Sequence, residues 1–135
     1  MALILDTDLL SIIQYESQPA YDRLMAQLAS QSDPVVTTII NFEERVQGWM
    51  AVLRKATKRQ QVLRAYEELV TVLEVFTTMK VLPFDDAAMD NYDELRRQKL
   101  RIGTMDLRIA SIALATARPK RSRVCFKRGS SPSRR

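Results

Sequence analysis

Acidic residues recur in this chain where an apolar run gives way to a helix-like pattern. Asp6 closes Ala2-Leu3-Ile4-Leu5, Glu43 and Glu44 follow Val35–Ile40, and Asp106 lies just past Gly103. Carboxylates brought together from separated segments repel one another unless a cation neutralises them. The cation that suits an all-oxygen set is a hard one, Mg²⁺ or Mn²⁺, which keeps several waters and takes phosphate oxygens into its shell. Such an ion lowers the pKa of a bound water and stabilises charge on phosphate oxygens, the chemistry of a phosphodiesterase. The sequence contains no histidine and a single cysteine, Cys125. That removes imidazole bases, Ser-His-Asp triads and ordinary zinc sites. Any enzyme here must work with carboxylates, hydroxyls or a hard metal.

Each acid also has a purely structural reading. An Asp after a strand caps the next helix, and a Glu or Asp in a first turn complements the helix dipole. The case for chemistry rests on joint placement, so the elements that carry these residues matter. Ala2–Leu5 reads as a strand buried on both faces. Thr7 or Asp8 can cap a helix through Leu9–Ile13, and Pro19 opens a second helix. The β-branched run Val35–Ile40 reads as the second strand. Two long helices follow, about 41–56 with Phe42, Val46, Trp49 and Leu53 on one side, and about 58–76 carrying Val62, Leu69 and Leu73. Lys80–Phe84 is a third strand, Asp85-Asp86 cap a helix over 87–100, and Ile102-Gly103-Thr104 turns into a last helix over 105–117. Strands alternating with helices predict one α/β domain, a parallel sheet with helices on both faces. Ligands of such sheets bind outside the carboxyl ends of the strands. Asp6, the Glu43/Glu44 pair and Asp106 all fall there.

Other polar and aromatic residues have simpler roles. Asp8 is a cap or a supporting partner, while Asp90, Asp93 and Glu94 form a solvated face. Trp49 and Phe42 belong to the core or a dimer surface, and Gly48 allows close helix packing. Lys55, Lys58, Arg59 and Arg64 form a solvated basic face that RNA phosphates could meet.

The chain has 135 residues, enough for one domain with a proper core. Its longest apolar stretch, Ile109–Ala117, is too short to span a bilayer, and the N-terminus lacks a basic signal-peptide region. No membrane association is expected, and the cytoplasm is the expected compartment. The formal charge of +5 is a composite, because residues 118–135 hold eight Lys or Arg and no acid. The preceding residues carry 13 basic against 16 acidic side chains, so the pI says little about the domain's partners.

Four blocks, "LILDTDLLS", "TTIINFEERVQGW", "LPFDDAAMDNYDELRR" and "IGTMDLRIASIAL", resemble the PIN-domain family, and within it the VapC-type toxins of toxin–antitoxin pairs. The resemblance covers about residues 2–116. It implies a PIN-like three-layer α/β sandwich, a Mg²⁺- or Mn²⁺-dependent endoribonuclease acting on RNA (tRNA among the candidates), a homodimer, and a VapB-like antitoxin lying in the active groove. It assigns catalysis and metal binding to Asp6, Glu44 and Asp106. Glu44 is selected over Glu43 because the family acid lies four residues before a glycine, here Gly48. In the family a metal-activated water attacks the phosphodiester.

The resemblance ends near Ala117. The family continues with an apolar strand, a Thr-x-Asn turn and an Asp-Phe pair, whereas this sequence continues with Arg, Ser and Pro. The last strand or strands and a fourth acid are therefore expected to be missing. Domain-like residues 1–117 are followed by a basic stretch, 118–135, open to three readings: an altered reading frame, a native disordered extension, or an RNA-binding tail. Two alternatives to a working nuclease follow. One is a truncated, catalytically dead remnant that only binds an antitoxin or sister subunit. The other is a basic-tailed RNA-binding module.

Overall fold

A computed structural model describes residues 3–117 of the chain. The expectations for 118–135, including the missing strand and the basic tail, lie outside the described residues. Three short strands, β1 (Leu3–Ile4), β2 (Val35–Thr38) and β3 (Lys80–Leu82), form a parallel sheet in the order β1-β2-β3. Helices α1 (Thr7–Tyr15) and α2 (Ala20–Ala29) connect β1 to β2. Helices α3 (Ile39–Lys55) and α4 (Arg59–Thr77) connect β2 to β3, and α5 (Asp86–Arg97) and α6 (Thr104–Ala117) follow.

Both crossovers step the same way across the sheet, so the right-handed rule stacks α1 to α4 over one face. The alternation of strand side chains separates two cores accordingly. Leu5, Val35 and Val81 face the first, with Leu10 of α1, Val72 and Phe76 of α4, and Phe42, Val46 and Trp49 of α3. Val36 and Leu82 face the second, with Ala88 of α5 and Ile109 and Ile112 of α6. The result is the expected three-layer α/β sandwich. Phe42 meets Phe76 edge-on at 5.3 Å between ring centroids, which confirms that Phe42 and Trp49 serve the core.

Three local expectations need correction. The second strand stops at Thr38, not Ile40, because the Thr38 hydroxyl accepts from the Asn41 amide at 3.2 Å and caps α3. The cap outweighs the β propensity of Ile39 and Ile40, which become the first helical residues. The face that α4 buries also differs from the expected one. Its buried residues are Ala65, Val72 and Phe76, while Leu73 is 56% exposed and Val62 is 36% exposed. The helix carries two apolar stripes, and only one meets the sheet. Leu63, Tyr66, Val70 and Leu73 remain exposed on the other. Finally, the last helix begins at Thr104, within the expected Ile102-Gly103-Thr104 turn, and Gly103 there has no positive φ.

The cap at Asp85 is as expected: its carboxylate accepts from the Ala88 amide at 3.0 Å. Asp85→Ala should therefore cost about 1 kcal/mol, and Asp85→Asn close to nothing. Thermal unfolding of the two variants side by side checks this.

Candidate active-site groove

The first turn of α1 is built on Asp6. Its Oδ1 accepts the Leu9 amide at 2.9 Å, so the cap is Asp6, not Thr7 or Asp8. The strand has ended at Ile4, and the Leu5 carbonyl no longer has a neighbouring strand amide. Asn41 supplies the donor instead. Its Nδ2 donates to the Leu5 carbonyl at 2.8 Å and to Thr37 Oγ1 at 3.1 Å. Asn41 is fully buried, and it fixes Leu5, between the end of β1 and Asp6, to the start of α3. A carbonyl can only accept, so the amide nitrogen must face Leu5 and Oδ1 must turn away. That Oδ1 is buried and has no hydrogen-bond partner among the described residues.

One helical turn on, Glu44 is half-buried and its Oε2 accepts the Thr7 hydroxyl at 2.6 Å. Because α3 begins at Ile39, Glu44 sits in the second turn rather than the first. The dipole reading fades there, since that effect is confined to the terminal turn. Glu43 does not line the groove and accepts from the side-chain Nε2 of Gln47 at 3.3 Å. A polar seam continues between α1 and α3. Arg45 donates to Ser11 Oγ at 2.6 Å and to Gln14 Oε1. At the far end of α1, Tyr15 donates to Glu68 at 2.7 Å, and burial together with the Glu68 carboxylate pushes its phenol above the usual range. Asp106 lies exposed in the first turn of α6, where the dipole reading still applies.

These pieces meet in one open groove of about 960 Å³ at the carboxyl ends of the strands. Asp6, Glu44 and Asp106 all line it, and Asp8, expected as a cap or a supporting partner, joins them without capping the helix. Met105 and Ile109 supply an apolar wall, and Arg54 is the one basic residue of the lining among the described residues. Sequence reasoning passed over Thr7, Asn41 and Arg54. Asn41 had a signal, a buried-type position one turn after a strand, but its partner is a backbone carbonyl that no motif encodes. The expected basic face, Lys55, Lys58, Arg59 and Arg64, is exposed and does not line the groove.

Among the described residues, no three acids are grouped tightly enough to chelate a single ion together. The donor set is nevertheless of the right kind: carboxylate oxygens, with an orphaned amide oxygen at Asn41, and no His or Cys among the described lining residues. It suits a hard, largely hydrated cation held through one or two carboxylates and waters rather than a close all-protein cage. Among the described residues, no helix is long and apolar enough to cross a membrane.

The chain shares its PIN-like fold with several solved structures. Known structures with the same fold include the VapBC2 complex of Rickettsia felis, solved with a DNA fragment from its promoter. It superposes with a TM-score of 0.60 at 23% identity, over 86% of this chain and 82% of that one. FitAcB of Neisseria gonorrhoeae gives 0.56 at 22%, over 86% and 82%. VapBC-1 of nontypeable Haemophilus influenzae gives 0.54 at 23%, over 86% and 81%. No protein-family model matches the sequence, and no curated protein matches it significantly. The likeness is one of fold.

Proposed function

We propose that this chain is a metal-dependent endoribonuclease of the VapC type, with Asp6, Glu44 and Asp106 as its metal-binding and catalytic carboxylates. The observation that carries the reading is the convergence of these three acids, from three separate segments, on one groove at the strand ends. Mg²⁺ or Mn²⁺ held there would supply an acidified water and a counter-charge for phosphate oxygens. The protein's own part is positional. Asp6 is fixed by its cap bond to Leu9, Glu44 by the Thr7 hydroxyl, and Asp106 by the first turn of α6. Met105 and Ile109 offer an apolar wall against which a base can rest. A VapB-like antitoxin or a second copy of the chain is the proposed protein partner, supported by the VapBC complexes that share the fold. The apolar side chains left exposed along α4 support it further. The proposed site of action is the cytoplasm.

The test is RNA cleavage in Mg²⁺ and in EDTA by the wild-type chain, freed of any antitoxin, and by Asp106→Asn. The expected result is cleavage that needs the metal and falls about 100-fold or more in the variant. Equal metal-dependent rates would sink the assignment. A second reading is favoured by the spread of the acids, which form no tight cluster. It is a remnant that still binds its partner and cuts nothing. Complex formation without cleavage, under every metal condition, would select it.

Thr7→Val separates positioning from binding. It removes the hydroxyl that holds Glu44 while keeping the side chain's shape. We expect kcat to fall about tenfold, the worth of one hydrogen bond to a charged group, with KM nearly unchanged.

A further inference from the structure

Along α3, Asn41, Glu44, Gly48, Ala51 and Arg54 recur at helical spacing, and all five line the groove. Gly48 sits in the interior of a 17-residue helix, where glycine is the poorest ordinary choice. The sequence-based expectation that it permits close helix packing is not met. Beyond its chain neighbours and its own helix backbone, a Cβ at Gly48 would meet no atom of the described residues within 4 Å. Nothing among the described residues needs that position bare, so the missing side chain leaves room for something the groove receives. The buried Asn41 Oδ1 beneath the same groove, without a donor among the described residues, is an independent sign that an occupant or its water belongs there. At the far end stands Arg54. It is exposed, and its side chain makes no hydrogen bond or ion pair with any described residue.

The geometry points to α3 as the track for the strand that flanks the reacting phosphate. Gly48 and Ala51 form the floor, and Arg54 holds a phosphate remote from the acids. This inference rests on the nuclease reading for its substrate, single-stranded RNA. Ten residues separate Glu44 from Arg54, so the track is about 15 Å long, the reach of a few nucleotides. Charge follows the same axis. Carboxylates at one end would repel a bare phosphate without a metal, while the arginine at the other end attracts one. An extended strand therefore has a single favourable placement along the helix. The apolar Met105 and Ile109 on α6 face it across the groove.

The probe is a labelled, mixed-sequence single-stranded RNA of about a dozen nucleotides, titrated in EDTA so that binding is read without cleavage. Arg54→Gln should weaken binding severalfold. It should also reduce the slope of log K against log salt by about 0.7, the share of one single-strand phosphate contact. Gly48→Ala should raise the melting temperature by a few degrees, because alanine is the better helix former, and yet weaken RNA binding at least threefold. Lys55→Gln, in the same helical turn but outside the groove, should change neither slope nor affinity. The basic residues 118–135 contribute equally to every variant. If Arg54→Gln keeps the wild-type slope, or Gly48→Ala gains stability with no loss of binding, the track is wrong. No binding by the wild-type chain would overturn it as well. Failure of the nuclease reading shows separately. Variant-sensitive binding with no Mg²⁺-dependent cleavage leaves the track standing and removes the enzyme, whereas cleavage with insensitive binding does the reverse.

Discussion

Asp6→Asn should abolish metal-dependent RNA cleavage, by about 100-fold or more, while the melting temperature stays within a degree or two of the wild type. The two halves of that result come from different atoms of one side chain. Oδ1 caps α1 through the Leu9 amide, and asparagine caps as well as aspartate. The lost quantity is the negative charge that attracts a hard cation, and several kcal/mol of metal-derived stabilisation depend on it. Each 1.36 kcal/mol is tenfold in rate, so a 100-fold loss is the modest end of the range. Asp6→Ala gives the complementary result, with the same loss of activity and about 1 kcal/mol less stability from the missing cap. Cleavage assays beside thermal melts of both variants check the pair. If Asp6→Asn cuts RNA at the wild-type rate, Asp6 is a helix cap and nothing more.

Asn41→Ala should be the most damaging of the groove substitutions for the fold. Leu5 carbonyl would keep only the long 3.4 Å contact from Thr37 Oγ1. An underpaired buried carbonyl costs about 1–3 kcal/mol, and the emptied amide volume adds to that. For a domain of this size, about 4 °C is lost per kcal/mol, so a fall on the order of 5–12 °C is expected. Asn41→Asp should be at least as harmful. It removes the donor to Leu5 and buries a carboxylate beside the acids of the groove. Activity should fall with stability in both, because Asn41 anchors the residue that precedes Asp6. Denaturation curves paired with residual cleavage at 15 °C test this. An Asn41→Ala chain that melts with the wild type would mean that water satisfies the Leu5 carbonyl.

The fold and the acids were legible for different reasons. Val35–Thr38 declared its strand by β-branching, and Asp85 declared its helix by capping, both local signals. The alternation of apolar strand runs with helices was enough for the parallel sheet. The carboxylates could be placed at the strand ends because parallel sheets expose those ends together. What failed depended on partners distant in sequence. Ile39 and Ile40 looked like strand until Thr38 proved to be a cap. The face that α4 buries could not be chosen from two apolar stripes without knowing which one meets Leu5 and Leu10. Asn41 and Thr7 act on atoms 36 and 37 residues away. Gly48 invited a packing explanation because glycine in a helix usually has one, and only the empty space around its Cα removes it.

The most direct test of the central claim is Mn²⁺ binding, followed by electron paramagnetic resonance on the wild-type chain and on Asp6→Asn, Glu44→Gln and Asp106→Asn. It needs no knowledge of the RNA target. If the three acids serve one metal site, the wild-type chain binds Mn²⁺ and each substitution weakens that binding about tenfold or more, with the fold intact by circular dichroism. If all three variants bind Mn²⁺ as the wild type does, the acids that line this groove are caps and dipole partners, and the nuclease reading falls with them.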